Sequence, residues 1–220
     1  MLAAVLTTDI IDSTKLTSRA LSQVRELLKK EFDFLQYTYG KKRVFFEIYR
    51  GDSFQGLVLD VEKALEVAFL LKSAVNKINL KKNKTSRSRM VDFRMALGIG
   101  NIDKVPENLK EAGGEAFLFS GRSLDAMKQK QQKTSLKTEN EDLNHEFEVH
   151  FKFFDLMTER WSIAAAETIY YLLQDMTETQ IAEKIGISQA AVNSRKKASG
   201  WEAVSKLLQR YEEVISKKLR

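Results

Sequence analysis

The sequence predicts an α+β protein: a sheet-and-helix domain followed by an all-helical one. Three observations carry that reading. Over the first 130 residues, strand-like apolar runs alternate with helix-spaced apolar residues in the order β, α, β, β, α, β. From about residue 144 onward the chain reads as helical and contains no proline. Two acidic motifs, one around Asp9 and one around Asp52, stand at predicted strand ends.

Leu2 to Thr8 is a short apolar run rich in strand formers and reads as a buried strand. Thr17 to Tyr37 places Leu21, Val24, Leu28, Phe32 and Leu35 at helical spacing. Val44–Tyr49 and Phe54–Leu59 are strand-like, and Arg50-Gly51-Asp52-Ser53 between them is turn chemistry, so the pair reads as a hairpin. Asp60 is placed to cap a helix that carries Leu65, Phe69, Val75 and Ile78. Phe93–Ile102 is the next strand, and Pro106 with Gly113-Gly114 marks a loop. Ala116–Lys130 reads as a helix, and Lys133–Leu143 has room for a short strand. Such an order builds a ferredoxin-like arrangement, an antiparallel sheet with helices on one face. Within 144–160 the phenylalanines fit both periods. A helix is preferred, because Phe154, Leu156, Met157 and Trp161 extend its apolar face. The predicted organisation is a first domain over 1–143, a connecting helix over 144–160, and a helical domain over 161–220.

Composition sets the outer limits. Of 220 residues, 43% are hydrophobic, enough for a sizeable core, and the formal net charge is +6. The excess is concentrated at Lys81, Lys82, Lys84, Arg87 and Arg89, at Lys128, Lys130, Lys133 and Lys137, and at Arg195, Lys196 and Lys197. The first two runs read as solvated faces. The absence of cysteine excludes disulfides and thiolate metal sites. No run approaches the roughly 18 apolar residues of a membrane span, and the N-terminus lacks a basic leader, so a cytoplasmic protein without a membrane partner is expected. His145 and His150 have no ligand spacing and read as structural or solvated.

The segment Thr179 to Val192 has the pattern of a helix-turn-helix. Ala182 is small where two helices cross, Gly186 suits a left-handed turn, and Ser188 suits an N-cap. Ile181, Ile185, Ile187 and Val192 fill the space between the helices. The second helix then offers Gln189, Ala190, Asn193, Ser194 and Lys197 to base edges, with Arg195 and Lys196 available to phosphates. DNA is the expected partner, bound by a homodimer that sets two such helices about one DNA turn apart.

The acidic motifs point to phosphate chemistry. Two carboxylates at neighbouring strand ends repel one another unless a cation lies between them, and Mg²⁺ or Mn²⁺ suits such oxygen ligands. Asp9 and Asp52 are the candidate metal ligands. Ile10, Ile11, Ser13 and Thr14 are the candidate anion-binding residues at a helix start. Read blandly, Gly-Asp-Ser is an ordinary turn and Asp9 a cap; order and spacing favour the pair.

These motifs resemble a known family. Asp9-Ile10-Ile11-Asp12-Ser13-Thr14 and Gly51-Asp52-Ser53-Phe54 are similar to the two metal motifs of class III nucleotidyl cyclases. Ala64–Ala68 and Arg94–Gly100 resemble segments that follow in that family. With the C-terminal pattern included, the whole chain resembles the SatD-type bacterial family, which joins a cyclase-like palm to a DNA-binding tail. The resemblance implies a cyclase-type palm, a metal-bound nucleotide, and a head-to-tail homodimer. It places Arg122 as the phosphate-stabilising arginine. It also shows departures, with Leu118 standing where cyclases carry a ribose-orienting Asn and Ile48 where adenylyl cyclases carry a purine-reading Lys.

Positioning alone can supply about 7–11 kcal/mol of a barrier, so losing orienting groups bears on catalysis more than on binding. The leading expectation is a DNA-binding regulator whose palm binds a metal-nucleotide or serves for dimerisation. An active cyclase or nucleotidyl transferase, and a non-catalytic interaction protein, are the alternatives, so enzymatic activity is left open at this level.

Overall fold

In a computed structural model of the protein, which describes residues 1–49, 51–80, 90–106 and 108–219, five strands form one mixed sheet. Arg50 of the hairpin and the basic run Lys81, Lys82, Lys84, Arg87 and Arg89 lie outside the described residues. The strands are β1 (Leu2–Ile10), β2 (Val44–Tyr49), β3 (Ser53–Val58), β4 (Phe93–Asn101) and β5 (Thr134–Lys137). Their order is β2-β3-β1-β4-β5, with β4 and β5 parallel and every other pair antiparallel. Helices α1 (Ser18–Tyr39), α2 (Ala64–Asn76), α3 (Glu115–Lys130) and α4 (Glu141–Thr158) accompany the sheet. The first four strands with α1 and α2 reproduce the ferredoxin-like order expected from the sequence.

β1 is apolar along most of its length because both of its faces are covered. Leu6 and Ile10 join Phe54, Phe93 and Met95 in the core that α1 and α2 close. Ala3 and Val5 face the other way and pack with Leu57, Leu109 and Ala116 of α3. The expectation of helices on one face therefore holds for α1 and α2, while α3 covers the opposite face. It lies so close to β4 that a Cβ on Gly98 would meet the Ala116 carbonyl oxygen at 2.3 Å and the Ser120 nitrogen at 2.5 Å.

Local chemistry explains the element ends. Thr17 accepts from the Ala20 amide at 3.2 Å and starts α1, whose Val24, Leu28, Phe32 and Leu35 face inward. Asp60 does not cap α2 as expected. A 3₁₀ turn over Val61–Lys63 intervenes, and the Asp60 carboxylate pairs with Arg43 at 3.6 Å. α2 is buried almost all round, because the sheet lies on one side and α5 (Ile163–Leu172) on the other. That environment explains why Lys72 has no exposed surface.

The apolar core does not stop at the sheet. Phe147, Phe151 and Phe154 of α4 are buried in it, whereas Phe153 is 68% exposed, so the helical period was the right one for this run. Phe154 stacks on Phe69 of α2 with centroids 4.1 Å apart. Phe147 meets Tyr211 of α8 (Trp201–Lys218) edge-on, and the Tyr211 hydroxyl donates to the Val61 carbonyl at 2.7 Å. α4, α5 and α8 thus share the core of the sheet. A smaller cluster of Leu172, Ile181, Ala182 and Val192 holds α6 (Glu178–Ile185) and α7 (Gln189–Ala198) together. Thr177 and Gln180 form a capping box at the start of α6. Gly186 sits at φ 72° between the two helices, and Ser188 accepts from the Ala191 amide to start α7. Among the described residues no helix is long and apolar enough to cross a membrane.

Gly98→Ala is expected to destabilise the protein by roughly 2–3 kcal/mol or more, since backbone atoms cannot retreat from the new methyl group. The urea midpoint measures this, and an unchanged midpoint would show that α3 is not held against β4 as described.

Candidate functional site

Sheet register brings the two motif aspartates together. Asp9 lies opposite Ser53 across the β1–β3 ladder and opposite Arg94 across the β1–β4 ladder. Asp52 is the residue before Ser53, and its carbonyl accepts the Ile10 amide at 2.8 Å. Both aspartates line one open cavity of about 600 Å³. Its floor is polar: Gln55 donates to the Thr7 hydroxyl at 3.0 Å, and Thr7 shares a hydrogen bond with Ser120 at 2.8 Å. Leu109, Ala112 and Phe117 form an apolar wall.

Neither carboxylate stands alone. Asp9 pairs with Arg94 at 3.3 Å and with Lys128 at 3.8 Å. Asp52 accepts from the Ser13 hydroxyl at 2.8 Å. Tyr49 also lines the cavity, and burial pushes its phenol up, with Glu47 adding to the effect. Lys110, at the apolar wall, is held by Glu47 at 3.3 Å.

Several expected anion contacts are arranged otherwise. The Ile10 and Ile11 amides already donate to the Asp52 and Asp92 carbonyls, so neither is free for a phosphate. Ser13 and Thr14 open a three-residue 3₁₀ turn, not a helix, and α1 begins only at Ser18, where Thr17 already caps it. Ser13 is thus a buttress for Asp52, and Thr14 is exposed. Arg122 is exposed on α3 and does not line the cavity. At 3.6 residues per turn it lies about 140° around the helix from Phe117, whereas Leu124 and Lys128 fall within about 20° of it. Leu118 is exposed, and Ile48 packs into the core on the α1 side, so neither position faces this cavity.

Beneath the Asp9 turn lies a buried ionic group that the sequence reading missed. Asp92 holds Ile11 through its carbonyl, and its carboxylate accepts from Lys72 at 2.5 Å and Asn76 at 3.1 Å, with Lys133 at 3.6 Å. Burial works to raise the Asp92 pKa, but the two lysines and the amide outweigh it and hold the carboxyl below its ordinary range. A lysine set among Phe69, Leu70, Leu71, Ala74 and Val75 of α2 was the available signal.

The described residues contain no group of three or more His, Asp or Glu side chains gathered for a metal. Two carboxylate donors at an open cavity nonetheless fit Mg²⁺, which keeps several waters and takes phosphate oxygens for the rest of its shell. Asp9 and Asp52 are the residues that would hold it.

On α7 two of the predicted base-reading residues, Gln189 and Asn193, and the predicted phosphate contacts Lys196 and Arg195 are engaged within the protein. Glu178, at the start of α6, accepts from Gln189 at 2.6 Å, from Asn193 at 3.2 Å and from Lys196 at 3.0 Å. These donors hold its carboxyl below the usual range, Lys196 most strongly. Arg195 pairs with Glu167 of α5 at 3.6 Å. Ala190, Ser194 and Lys197 remain on the exposed face. Beside them a groove of about 670 Å³ between α7 and α8 is lined by Lys196, Lys197, Lys206 and Trp201.

A model of the SatD family matches residues 3–207. No curated protein matches the chain. An adenylate/guanylate cyclase/hydrolase from Silicibacter pomeroyi is 19% identical with a TM-score of 0.42, covering 57% of this chain and 70% of the other. A guanylate cyclase domain from Catenaria anguillulae, solved in complex with GTP, is 16% identical with a TM-score of 0.41, covering 56% and 72%. The active GGEEF domain of a diguanylate cyclase from Vibrio cholerae is 13% identical with a TM-score of 0.41, covering 64% and 84%.

Loss of the Asp92 charge should separate two effects. Its folded-state pKa is lowered, so its stabilisation is complete above the ordinary value of 3.8 and is lost as the pH falls through the folded value. Asp92→Asn should cost roughly 3–5 kcal/mol at neutral pH, because Lys72 is left buried without its partner. It should also flatten the acid limb of the stability profile. Denaturant titrations from pH 7 to pH 3 check both, and an acid limb as steep as wild type would contradict the assignment.

Proposed function

We propose, for a chain that belongs to the SatD family, that the cavity beside Asp9 and Asp52 takes a nucleoside triphosphate complexed with a divalent cation and acts on its phosphates in the manner of a nucleotidyl cyclase or nucleotidyl transferase. The observation that carries this reading is that Asp9 and Asp52, 43 residues apart in the chain, line one open cavity. A cation there would offset their mutual repulsion and bind phosphate oxygens. The apolar wall of Leu109, Ala112 and Phe117 offers a surface for a base. Charge stabilisation and positioning are most of what phosphoryl transfer asks of a protein. Lys128 and Arg94 supply positive charge at the cavity, and the polar floor supplies hydrogen-bonding groups.

Titration with Mg²⁺ and each nucleoside triphosphate tests the reading. Asp9→Ala and Asp52→Ala should each weaken metal-dependent binding by at least tenfold, about 1.4 kcal/mol. Wild type should release pyrophosphate, and Asp9→Ala should not. Equal binding and equal release by the variants would remove the cavity from the mechanism.

A second reading gives the C-terminal helices a nucleic-acid partner, so that the palm regulates a DNA-binding dimer. The groove lined by Lys197, Lys206 and Trp201 favours it. Arg195 and Lys196 are already neutralised by Glu167 and Glu178, so Lys197 and Lys206 are the better phosphate ligands. Replacing both by Ala should weaken binding to any duplex and reduce the salt slope by about 1.8. Fluorescence anisotropy against salt concentration measures it, and an unaltered slope would place the contacts elsewhere.

A further inference from the structure

We infer that Lys128 is a phosphate-binding residue of the Asp9 cavity, and that it exchanges Asp9 for the triphosphate when a divalent cation arrives. The inference rests on the nucleotide reading of that cavity and goes beyond it by assigning the cation of α3 that serves it.

Three observations meet at this side chain. The first is helical phase. Phe117, Leu124 and Lys128 occupy one stripe of α3 and line the cavity, while Arg122 lies away from that stripe. The second is its partner, since the Lys128 ammonium stands 3.8 Å from the Asp9 carboxylate, a position from which it competes with any metal for that oxygen. The third is freedom of movement. The Lys128 side chain is 49% exposed, against 24% for Arg94. Arg94 is also fixed directly across the ladder from Asp9, so it stays and orients the carboxylate. Lys110, the other lysine at the cavity, is tied to Glu47.

The consequence follows from charge. With no metal present, Lys128 offsets part of the charge on Asp9. A divalent cation binding there repels the ammonium, which also stands 3.8 Å from the Asp125 carboxylate on its own helix and turns from Asp9 toward the incoming phosphates. A long flexible stem with three donors suits that move better than a rigid guanidinium. Lys128 therefore acts against the bare metal and in favour of the metal–phosphate complex.

Calorimetric titration of the full-length protein with Mn²⁺ alone, and with Mg²⁺ plus inorganic tripolyphosphate, separates these effects. Lys128→Gln should tighten Mn²⁺ alone by about three- to fivefold, by removing the like charge that pairs with Asp9. It should weaken tripolyphosphate by about tenfold, the loss of one charge-assisted contact. Lys128→Arg should restore most of the tripolyphosphate affinity, and Arg122→Gln should change neither titration by more than about twofold. The residue is exposed on a helix, and an unchanged denaturation midpoint verifies that Lys128→Gln is folded. If wild type binds both probes and Lys128→Gln binds them equally well, the assignment is overturned while the cavity reading stands. An Arg122→Gln loss as large as that of Lys128→Gln overturns it too. If wild type binds neither probe, the cavity reading falls and this inference with it.

Discussion

The register of β1 between β3 and β4 is the constraint on which the site depends. Because side chains alternate along a strand, a slip of one residue would turn Asp9 into the core and bring Thr8 to the cavity. The register resists such a slip because both faces of β1 are committed. Leu6 and Ile10 belong to one apolar cluster, and Ala3 and Val5 belong to the other. Thr8 strengthens it further, since its hydroxyl donates to the Phe54 carbonyl at 3.0 Å inside the core. With β1 held, the β3 ladder sets Asp52 beside Asp9, and the β4 ladder sets Arg94 across from it.

A second layer stiffens that arrangement from below. The turn after β1 is tied by the Ile10 and Ile11 amides to the carbonyls of Asp52 and Asp92. Asp92 is in turn fixed by Lys72 and Asn76 from α2. A buried ion pair is a weak source of net stability, because desolvation offsets much of the attraction, but it fixes geometry where an apolar contact would let the chain slide. The same α2 is enclosed by α5 and meets Phe154 of α4, so the helices that follow the sheet also support the ground beneath the cavity.

The C-terminal helices show how a surface pattern can be altered by one acid. In the sequence Gln189 and Asn193 read as base contacts and Lys196 as a phosphate contact. In the folded chain they converge on Glu178, a single carboxylate from the preceding helix. Their hydrogen-bonding capacity is partly spent inside the protein, and the exposed positive charge shifts toward the α7–α8 groove with Lys197 and Lys206. Glu178 was visible in the chain, but nothing in a one-dimensional pattern told which side of α7 would face it.

Much of the architecture was legible from periodicity and turn chemistry, because those signals are local. The strand and helix order of the first half, the hairpin that carries Asp52, the Gly186 turn and the Ser188 cap all follow from residues within a few positions of each other. The pairing of Asp9 with Asp52 could be anticipated from motif order, since a helix and a hairpin between two strand ends leave few ways to place them. What tertiary structure alone decided was which groups reach the cavity and which do not. The phase of α3 is set by its close approach to Gly98, which turns Lys128 toward Asp9 and Arg122 away. The covered faces of the sheet send Ile48 into the core, and the backbone of the turn consumes the amides of Ile10 and Ile11. Each of these outcomes depends on contacts between residues far apart in the chain. Spacing along the sequence constrains the face a side chain occupies on its own element, but not what that face will meet.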